Sequence, residues 1–210
     1  MSTYYWAVCV MSSCCEKKAC ANEQLAQRQS RTLVTVLIIN AVMFFVELIS
    51  GLMAESVSLT GDSLDMLGDA VAYGSILYVV RRGAEAKARS ARLKGWIILG
   101  SALFVCASAI YRFFYVNVPD CEMMSGIGAL ALSANATCLF LLTRHKNDDV
   151  NMSSIWLCSR NDIISNSSVI AAAGMVYWTG TPWPDLVVGL ALTVLFTKSA
   201  LKVFAAARRA

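Results

Sequence analysis

Six apolar stretches, each about 20 residues long, dominate this chain of 210 residues. A helix of about 20 predominantly apolar residues is long enough to cross the hydrocarbon core of a bilayer. The connecting segments are too short to hold a soluble domain. The stretches run over residues 33–53, 59–80, 95–116, 123–143, 152–178 and 184–204. We therefore predict an all-α integral membrane protein with six transmembrane helices over residues 32–206, preceded by a tail over residues 1–31.

The composition supports this fold class. Hydrophobic residues make up 57% of the chain and charged residues only 15%, whereas about a quarter of an average soluble domain is charged. A soluble globule of this composition would lack the polar groups needed to cover its surface. The same numbers exclude a disordered chain and a charged coiled coil.

The distribution of Lys and Arg predicts the orientation of the helices. Basic residues occur in the tail, in the segments after the second and fourth stretches, and at the C-terminus. The three opposite loops, residues 54–58, 117–122 and 179–183, contain neither Lys nor Arg. By the positive-inside rule both termini are cytoplasmic. The net charge of +4 therefore reflects topology in a lipid bilayer, and we expect no nucleic-acid partner.

The tail contains cysteines that would lie in a reducing compartment. Cys14, Cys15 and Cys20 are thiols of a kind that suits soft metal ions, although their spacing is not the C-x-x-C of structural zinc sites. Two interpretations remain open: a tail that captures metal, and a tail without a redox or metal role.

Three carboxylates lie within the second stretch. Asp62, Asp65 and Asp69 are spaced three and four residues apart, so they share one helix face. Ionisable groups at this depth are costly and mark functional sites, and close like charges repel. A salt-bridged helix pair would need a buried base. The one basic residue well inside another stretch is Arg160, and one guanidinium cannot balance three carboxylates.

The fifth stretch supplies a complementary polar face. Cys158, Asp162 and Asn166 repeat every four residues and therefore lie on one side of the helix. The second span enters the membrane from outside, and the fifth span enters from inside. Asp65 and Asp69 therefore lie about 9 to 15 Å below the outer surface, and Cys158 and Asp162 lie about as far from the inner surface. The four side chains should meet near the midplane, where they could coordinate a divalent ion tetrahedrally. The thiolate favours zinc or cadmium over magnesium or calcium.

These residues resemble the cation diffusion facilitator family of divalent-metal/proton antiporters. The family hallmark on the second span, Asp or His followed four residues later by Asp, is matched by Asp65 and Asp69. The hallmark on the fifth span is matched by Cys158 and Asp162; a rival register pairs Asp162 with Asn166. The segments 55–59 and 183–185 are also similar to the family.

The resemblance implies an efflux transporter for zinc or cadmium in a bacterial inner membrane, acting as a homodimer and exchanging metal for protons. The metal is then cargo, and we expect no resident cofactor and no enzymatic activity. We expect this member to lack the family's usual cytoplasmic domain after the sixth span, and its histidine-rich loop is reduced to His145. The chain thus resembles a short member of the family.

Further polar residues in the predicted spans have two interpretations each. Asn40 and Glu47, seven residues apart on the first span, could line an aqueous path to the site or form interhelical hydrogen bonds. Asp62 could stand beside the metal ligands or on the path, or it could cap the start of its helix, which we slightly favour. Asp185 should lie in the first turn of its helix, where the helix dipole favours an acid.

Two other functions compete with metal transport. An intramembrane aspartyl protease also needs two Asp residues on facing helices, but Met66 replaces the first Gly of its Gly-x-Gly-Asp motif before Asp69. A non-transporting metal-binding membrane protein would use the cysteines of the tail.

Overall fold

The computed structural model describes residues 30–79, 84–115, 117–144 and 152–207. At some helix ends, including residues 152–161, the description covers the backbone and not the side chains. The tail cysteines Cys14, Cys15 and Cys20, the loop residue His145 and the side chains of Cys158 and Arg160 lie outside the described part of the chain.

All secondary-structure elements in the described part of the chain are helices, which confirms the predicted fold class. Its helices are α1 Ser30–Met53, α2 Val57–Val79, α3 Ala84–Phe114, α4 Cys121–Arg144, α5 Met152–Thr179 and α6 Trp183–Ala207. Each contains one of the six predicted stretches almost completely. The largest difference is at α3, which begins at Ala84 rather than at residue 95. The added segment is rich in Ala, Lys, Arg and Glu, which are strong helix formers even where they are polar.

Three helices combine the length and hydropathy of a membrane span within the described residues. The apolar segments are Arg31–Met53 in α1, Gly95–Phe114 in α3 and Cys121–Thr143 in α4, and α6 contains the shorter apolar segment Trp183–Leu195. α2 carries Asp62, Asp65 and Asp69, and α5 carries Asp162 and Asn166. α1 is strongly apolar and nevertheless holds the buried polar residues Asn40 and Glu47.

α2 occupies the centre of the bundle. It packs against α1, α3, α5 and α6, and the remaining main contacts join α3 to α6, α4 to α5, α1 to α4, and α5 to α6. α1 and α2 approach closely at Gly51, where a Cβ atom would lie 2.7 Å from Thr60 Oγ1. Small residues permit this kind of backbone approach between membrane helices. α2 therefore fixes the geometry of the bundle.

The bundle has an apolar outside and a partly polar inside. Large apolar side chains such as Phe45, Leu103 and Phe140 are exposed, as expected of surfaces that face lipid. The buried residues include Ser58, Thr60 and further polar side chains of α2. The distribution is the one a bilayer demands, because polar groups in hydrocarbon must find partners within the protein.

The link between α1 and α2 is a tight corner at the predicted outer end of the bundle. The Ser56 amide donates to the Gly51 carbonyl at 2.9 Å, which is the long hydrogen bond of a Schellman motif. Glu55 takes the left-handed position with φ 54°, where Gly is the usual residue. Its carboxylate pairs with Arg112 at 3.4 Å and accepts a hydrogen bond from Asn117 at 2.7 Å. These contacts tie the corner to the outer end of α3 and the segment that follows it.

Candidate metal centre

Acidic side chains from three helices converge inside the bundle. Glu47 of α1 and Asp62 of α2 are both 0% exposed, and Asp65 and Asp162 are partly buried. The carboxylate of Glu47 interacts electrostatically with those of Asp62 and Asp65, and Asp62 interacts in the same way with Asp162. The prediction that α2 and α5 bring acids together is consistent with this cluster, and α1 adds Glu47.

One hydrogen bond defines how α2 and α5 are aligned. The Ser165 hydroxyl donates to Asp62 Oδ1 at 2.8 Å, and both residues are buried. α2 and α5 run in opposite directions. Counting inward from this bond therefore means counting up the sequence on α2 and down the sequence on α5. Two residues that are the same number of positions from the bond lie at the same level.

This register relates the predicted ligands to one another. Asp65 and Asp162 are each three residues inward from the Asp62–Ser165 bond, so they share a level about 4.5 Å below it. Asp69 and Cys158 are each seven residues inward, about 10.5 Å below it. The backbone thus brings the i, i+4 pair of α2 level with the i, i+4 pair of α5.

The side chains do not form a closed metal-binding group in the part of the chain that the structure describes. There, no three His, Cys, Asp or Glu side chains converge closely enough to hold an ion. The described side chains include Asp65, Asp69 and Asp162, but not Cys158. The ligand set of Asp65, Asp69, Cys158 and Asp162 therefore stays a prediction.

Several buried oxygen atoms around the cluster lack a hydrogen-bond partner among the described residues. They are both carboxylate oxygens of Glu47, Asp62 Oδ2 and Asn166 Oδ1. All four atoms are acceptors when the acids are ionised, and a buried acceptor without a donor is costly. The cluster can be satisfied by protons, by water or by a cation. The unpartnered oxygens therefore make the cluster suited to bind protons or a cation.

Asn166 bears on the rival register of the fifth span. Its amide nitrogen donates to the Asp162 carbonyl at 2.8 Å within α5, whereas its amide oxygen is the unpartnered acceptor. Asn166 is fully buried and lies one turn outward from Asp162. It therefore lies at about the level of Asp62, on the outer side of the predicted ligands.

Asn40 makes a contact between two helices, which is one of its two interpretations. Its amide nitrogen donates to the Val36 carbonyl at 2.9 Å and to the Cys138 thiol of α4 at 3.6 Å. Cys138 is buried, so this contact joins α1 to α4 inside the bundle. Asn40 Oδ1 and both carboxylate oxygens of Glu47 lack a hydrogen-bond partner among the described residues, so an aqueous path along these two side chains stays a prediction.

The interpretation of Asp62 as a helix cap is wrong. The Leu59 amide donates to the Ser56 hydroxyl at 3.0 Å, so Ser56 is the N-cap of α2. Asp62 lies in the second turn, and its carboxylate turns towards α5. Ser56 and Asp62 are both of a residue type that can cap a helix. Here Ser56 provides the cap, and Asp62 accepts a hydrogen bond inside the bundle.

Asp185 lies in the first turn of α6 as predicted, but its carboxylate does more than favour its own helix dipole. It is buried and bonds to the first residues of α2. The sequence alone gives no indication of this pairing, because the partners are 127 to 129 residues apart.

An open cavity of about 440 Å³ lies at the outer end of the bundle. Its lining is formed by Glu55, Tyr111, Arg112, Phe114, Tyr115 and Asn117. None of the predicted ligands lines this cavity. Its polar wall is the Glu55 corner described above, so it belongs to the outer surface and not to the acidic cluster.

Removing the Ser165 hydroxyl should weaken the joint between α2 and α5. Ser165→Ala leaves Asp62 Oδ1 without its donor, and the loss of a buried partner costs about 1–3 kcal/mol. Thermal unfolding of the purified protein should show the loss. Ser168 is a matched control on the same helix, because the hydrogen bond that its hydroxyl makes within the described part of the chain goes to the Ser165 carbonyl of its own helix, at 2.6 Å. An equal effect of Ser168→Ala and Ser165→Ala would contradict a special role for the Asp62–Ser165 bond.

Comparison with known proteins identifies the family. The model of the cation efflux transmembrane domain matches residues 33–210. The metal cation efflux system protein CzcD of Cupriavidus metallidurans is 22% identical over 192 residues, covering 82% of this chain and 61% of the relative. The cation efflux system protein CzcD of Alcaligenes sp. strain CT14 is 23% identical over 167 residues, covering 74% and 53%. The chain thus spans less than two thirds of the length of either relative.

The family match covers all six helices, and it agrees with the all-helical architecture and with the apolar spans. Both relatives are bacterial. The chain therefore belongs to the cation diffusion facilitator family and is a multi-pass protein of the bacterial cell membrane.

Proposed function

We propose that this chain exports divalent transition-metal cations from the cytoplasm in exchange for protons. The observation that carries the proposal is the register of α2 and α5 set by the Asp62–Ser165 bond. On this register the backbone positions of Asp65 and Asp162 lie at one level and those of Asp69 and Cys158 at another, and these four residues are the ligands that sequence analysis predicts. Two curated relatives named as cation efflux proteins support the same direction of transport.

Ligand chemistry favours zinc and cadmium as cargo. Three carboxylates and one thiolate form a four-coordinate set of mixed hardness. The thiolate of Cys158 is the softest donor and selects against ions that prefer an all-oxygen shell. Among first-row ions the set therefore favours zinc over manganese.

Glu47, Asp62 and Asn166 form the outer wall of the proposed path. Asp62 and Asn166 lie one turn outward from Asp65 and Asp162, and Glu47 interacts with both Asp62 and Asp65. Their unpartnered oxygens would replace part of the hydration shell of an ion that leaves the site outward. Asn40, with its amide donated to Cys138, stays a structural residue in this scheme.

Proton exchange follows from the same acids. Several carboxylates that share a buried space cannot all be ionised without a compensating charge. A divalent ion requires deprotonated ligands, so its binding releases protons. If the site faces each side in turn, a proton gradient directed inward drives metal outward.

Two parts of the proposal lie beyond the acidic cluster. The thiols of Cys14, Cys15 and Cys20 could capture soft ions near the inner mouth. The family resemblance implies a homodimer.

An aspartyl protease remains the enzymatic alternative, but it would use one Asp on each facing helix and leave the paired spacing on both helices unexplained.

Replacing a proposed ligand carboxylate should abolish metal transport without removing the protein from the membrane. Asp65→Asn, Asp69→Asn and Asp162→Asn keep side-chain size and remove the charge that holds the ion. Zinc flux into proteoliposomes is the measurement. Glu122→Gln is a matched control, since Glu122 is an exposed acid in the first turn of α4. Wild-type flux in Asp69→Asn would refute the ligand assignment.

Cys158→Ser should change the selectivity of transport. Losing the soft donor should reduce zinc and cadmium flux at least about tenfold more than manganese flux. The comparison is made in proteoliposomes with the three ions at equal concentration. Cys106→Ser, a substitution at a partly exposed thiol of α3, is the control and should leave the ratios unchanged. An equal loss for all three ions would show that Cys158 is not a ligand.

Metal binding should release at least about one proton per ion. Calorimetry in buffers of different ionisation enthalpy counts the protons that the protein loses when zinc binds. Collapse of the pH gradient should stop uphill transport and leave downhill exchange. Zero proton release over the neutral pH range would exclude antiport through these ligands, even if the protein transports metal.

A further inference from the structure

The carboxylate of Asp185 receives four hydrogen bonds, all from the start of α2. The Ser56 and Ser58 hydroxyls donate to Oδ1, each at 2.6 Å. The Ser58 amide donates to Oδ1 at 3.0 Å, and the Val57 amide donates to Oδ2 at 2.7 Å. Asp185 is 1% exposed. A carboxylate on α6 is thus fully enclosed by the first residues of another helix.

These bonds meet two requirements at once. The first amides of a helix have no partner within the helix, and the N-terminus favours negative charge. A buried carboxylate needs charge-assisted hydrogen bonds to offset its desolvation. Asp185 therefore caps α2 from outside, in addition to the cap that Ser56 provides from within.

The bonds to backbone amides fix the axial position of α2. A slide of α2 by one residue moves its backbone by about 1.5 Å, which is enough to break both amide bonds. The packing below the carboxylate is equally close: a Cβ atom at Gly189 would collide with Val57, and one at Gly61 would lie 3.3 Å from Leu192. α2 and α6 are therefore held together over the first two turns of α2.

The start of α6 is in turn held close to the end of α5. Only residues 180–182 separate α5 from α6, and Gly180 makes the turn with φ +63°. A bond from Asp185 to α2 consequently sets the position of α2 relative to α5 as well as to α6. Together with the Asp62–Ser165 bond, it gives two points that align the helices carrying the proposed ligands.

We propose that Asp185 is a positioning residue for metal transport, which holds α2 in the register that brings Asp65 and Asp69 level with the ligands of α5. Asp185 touches neither the ion nor its ligands in this scheme. Asp65 lies eight residues from Val57, about 12 Å along a continuous helix. An axial shift of α2 where it bonds to Asp185 is therefore carried to the ligands. This role rests on the proposed function only where transport is the readout.

Two substitutions separate positioning from capping. Asp185→Ala removes the carboxylate from α6 and leaves no hydrogen-bonding group in its place. Adding Ser56→Asp places a carboxylate at the N-cap of α2, where Asp is a favoured residue. The double variant keeps a capped α2 and loses the link to α6. We expect it to recover most of the thermal stability lost in Asp185→Ala, while the KM for zinc flux stays raised at least about tenfold, as loss of ligand alignment requires.

A double variant with wild-type KM would show that Asp185 only caps α2, and it would overturn the proposal. If Asp185→Ala alone does not fold, the folded double variant is compared directly with the wild type. Gly189→Ala tests the same joint without removing the carboxylate, because the added methyl group meets Val57. It should also raise KM, whereas the control Gly100→Ala adds a Cβ with no neighbour within 4 Å and should not. Wild-type KM in Gly189→Ala counts against the proposal.

A measurement without metal distinguishes failure of this proposal from failure of the transport function. If Asp185 aligns α2 with α5, the change that Ser165→Ala makes in the unfolding equilibrium constant should depend on whether the bonds between Asp185 and α2 are present. When two substituted residues share no partner, the combined change in the unfolding equilibrium constant normally equals the product of the two single changes within a factor of about two. We expect the effect of Ser165→Ala in the double variant to differ from its effect in the wild type by at least about threefold. Additive effects would overturn the positioning role whether or not the protein transports metal.

Discussion

Keeping carboxylates inside a membrane bundle is the constraint on which the rest of this structure depends. Each such group is costly in hydrocarbon, and Glu47 and Asp62 are completely buried. The bundle meets this cost by surrounding α2 on several sides, so that Ser165 of α5 can donate to Asp62. The apolar residues that would form the interior of a soluble protein are instead exposed on the outer faces of the helices.

Close packing around α2 follows from that constraint. Acids on a central helix can be enclosed only if the neighbouring helices approach closely, and Gly51, Gly61 and Gly189 lie at such approaches. In a bilayer these contacts must supply the attraction that the hydrophobic effect supplies in water. The same glycines leave little freedom for α2 to rotate or slide at its outer end.

The sequence was sufficient to predict the fold class and the helices that matter, because spans of about 20 apolar residues and the spacing of Asp65 and Asp69 are local signals. It could not predict pairings between distant residues. Asp62 resembled a cap because acids are common near helix starts, whereas the structure uses Ser56 for that purpose. The partners of Asp185 and the register between α2 and α5 depend on tertiary packing. The predicted ligand set needs that register and also the side chain of Cys158, so it is still a prediction.

The metal coordination proposed above would explain why the outer end of α2 is held so firmly. A binding site functions when its ligands stay within about 0.5 Å of their productive positions, whereas one residue of helix sliding is about 1.5 Å. Ligands divided between two helices cannot meet this tolerance through their own side chains alone. The carboxylate of Asp185 supplies directional bonds at one end of α2, and Ser165 supplies another near the acids. Under this proposal, alignment of the ligands depends on residues that bind no ion, and on α6, which contributes none of the proposed ligands.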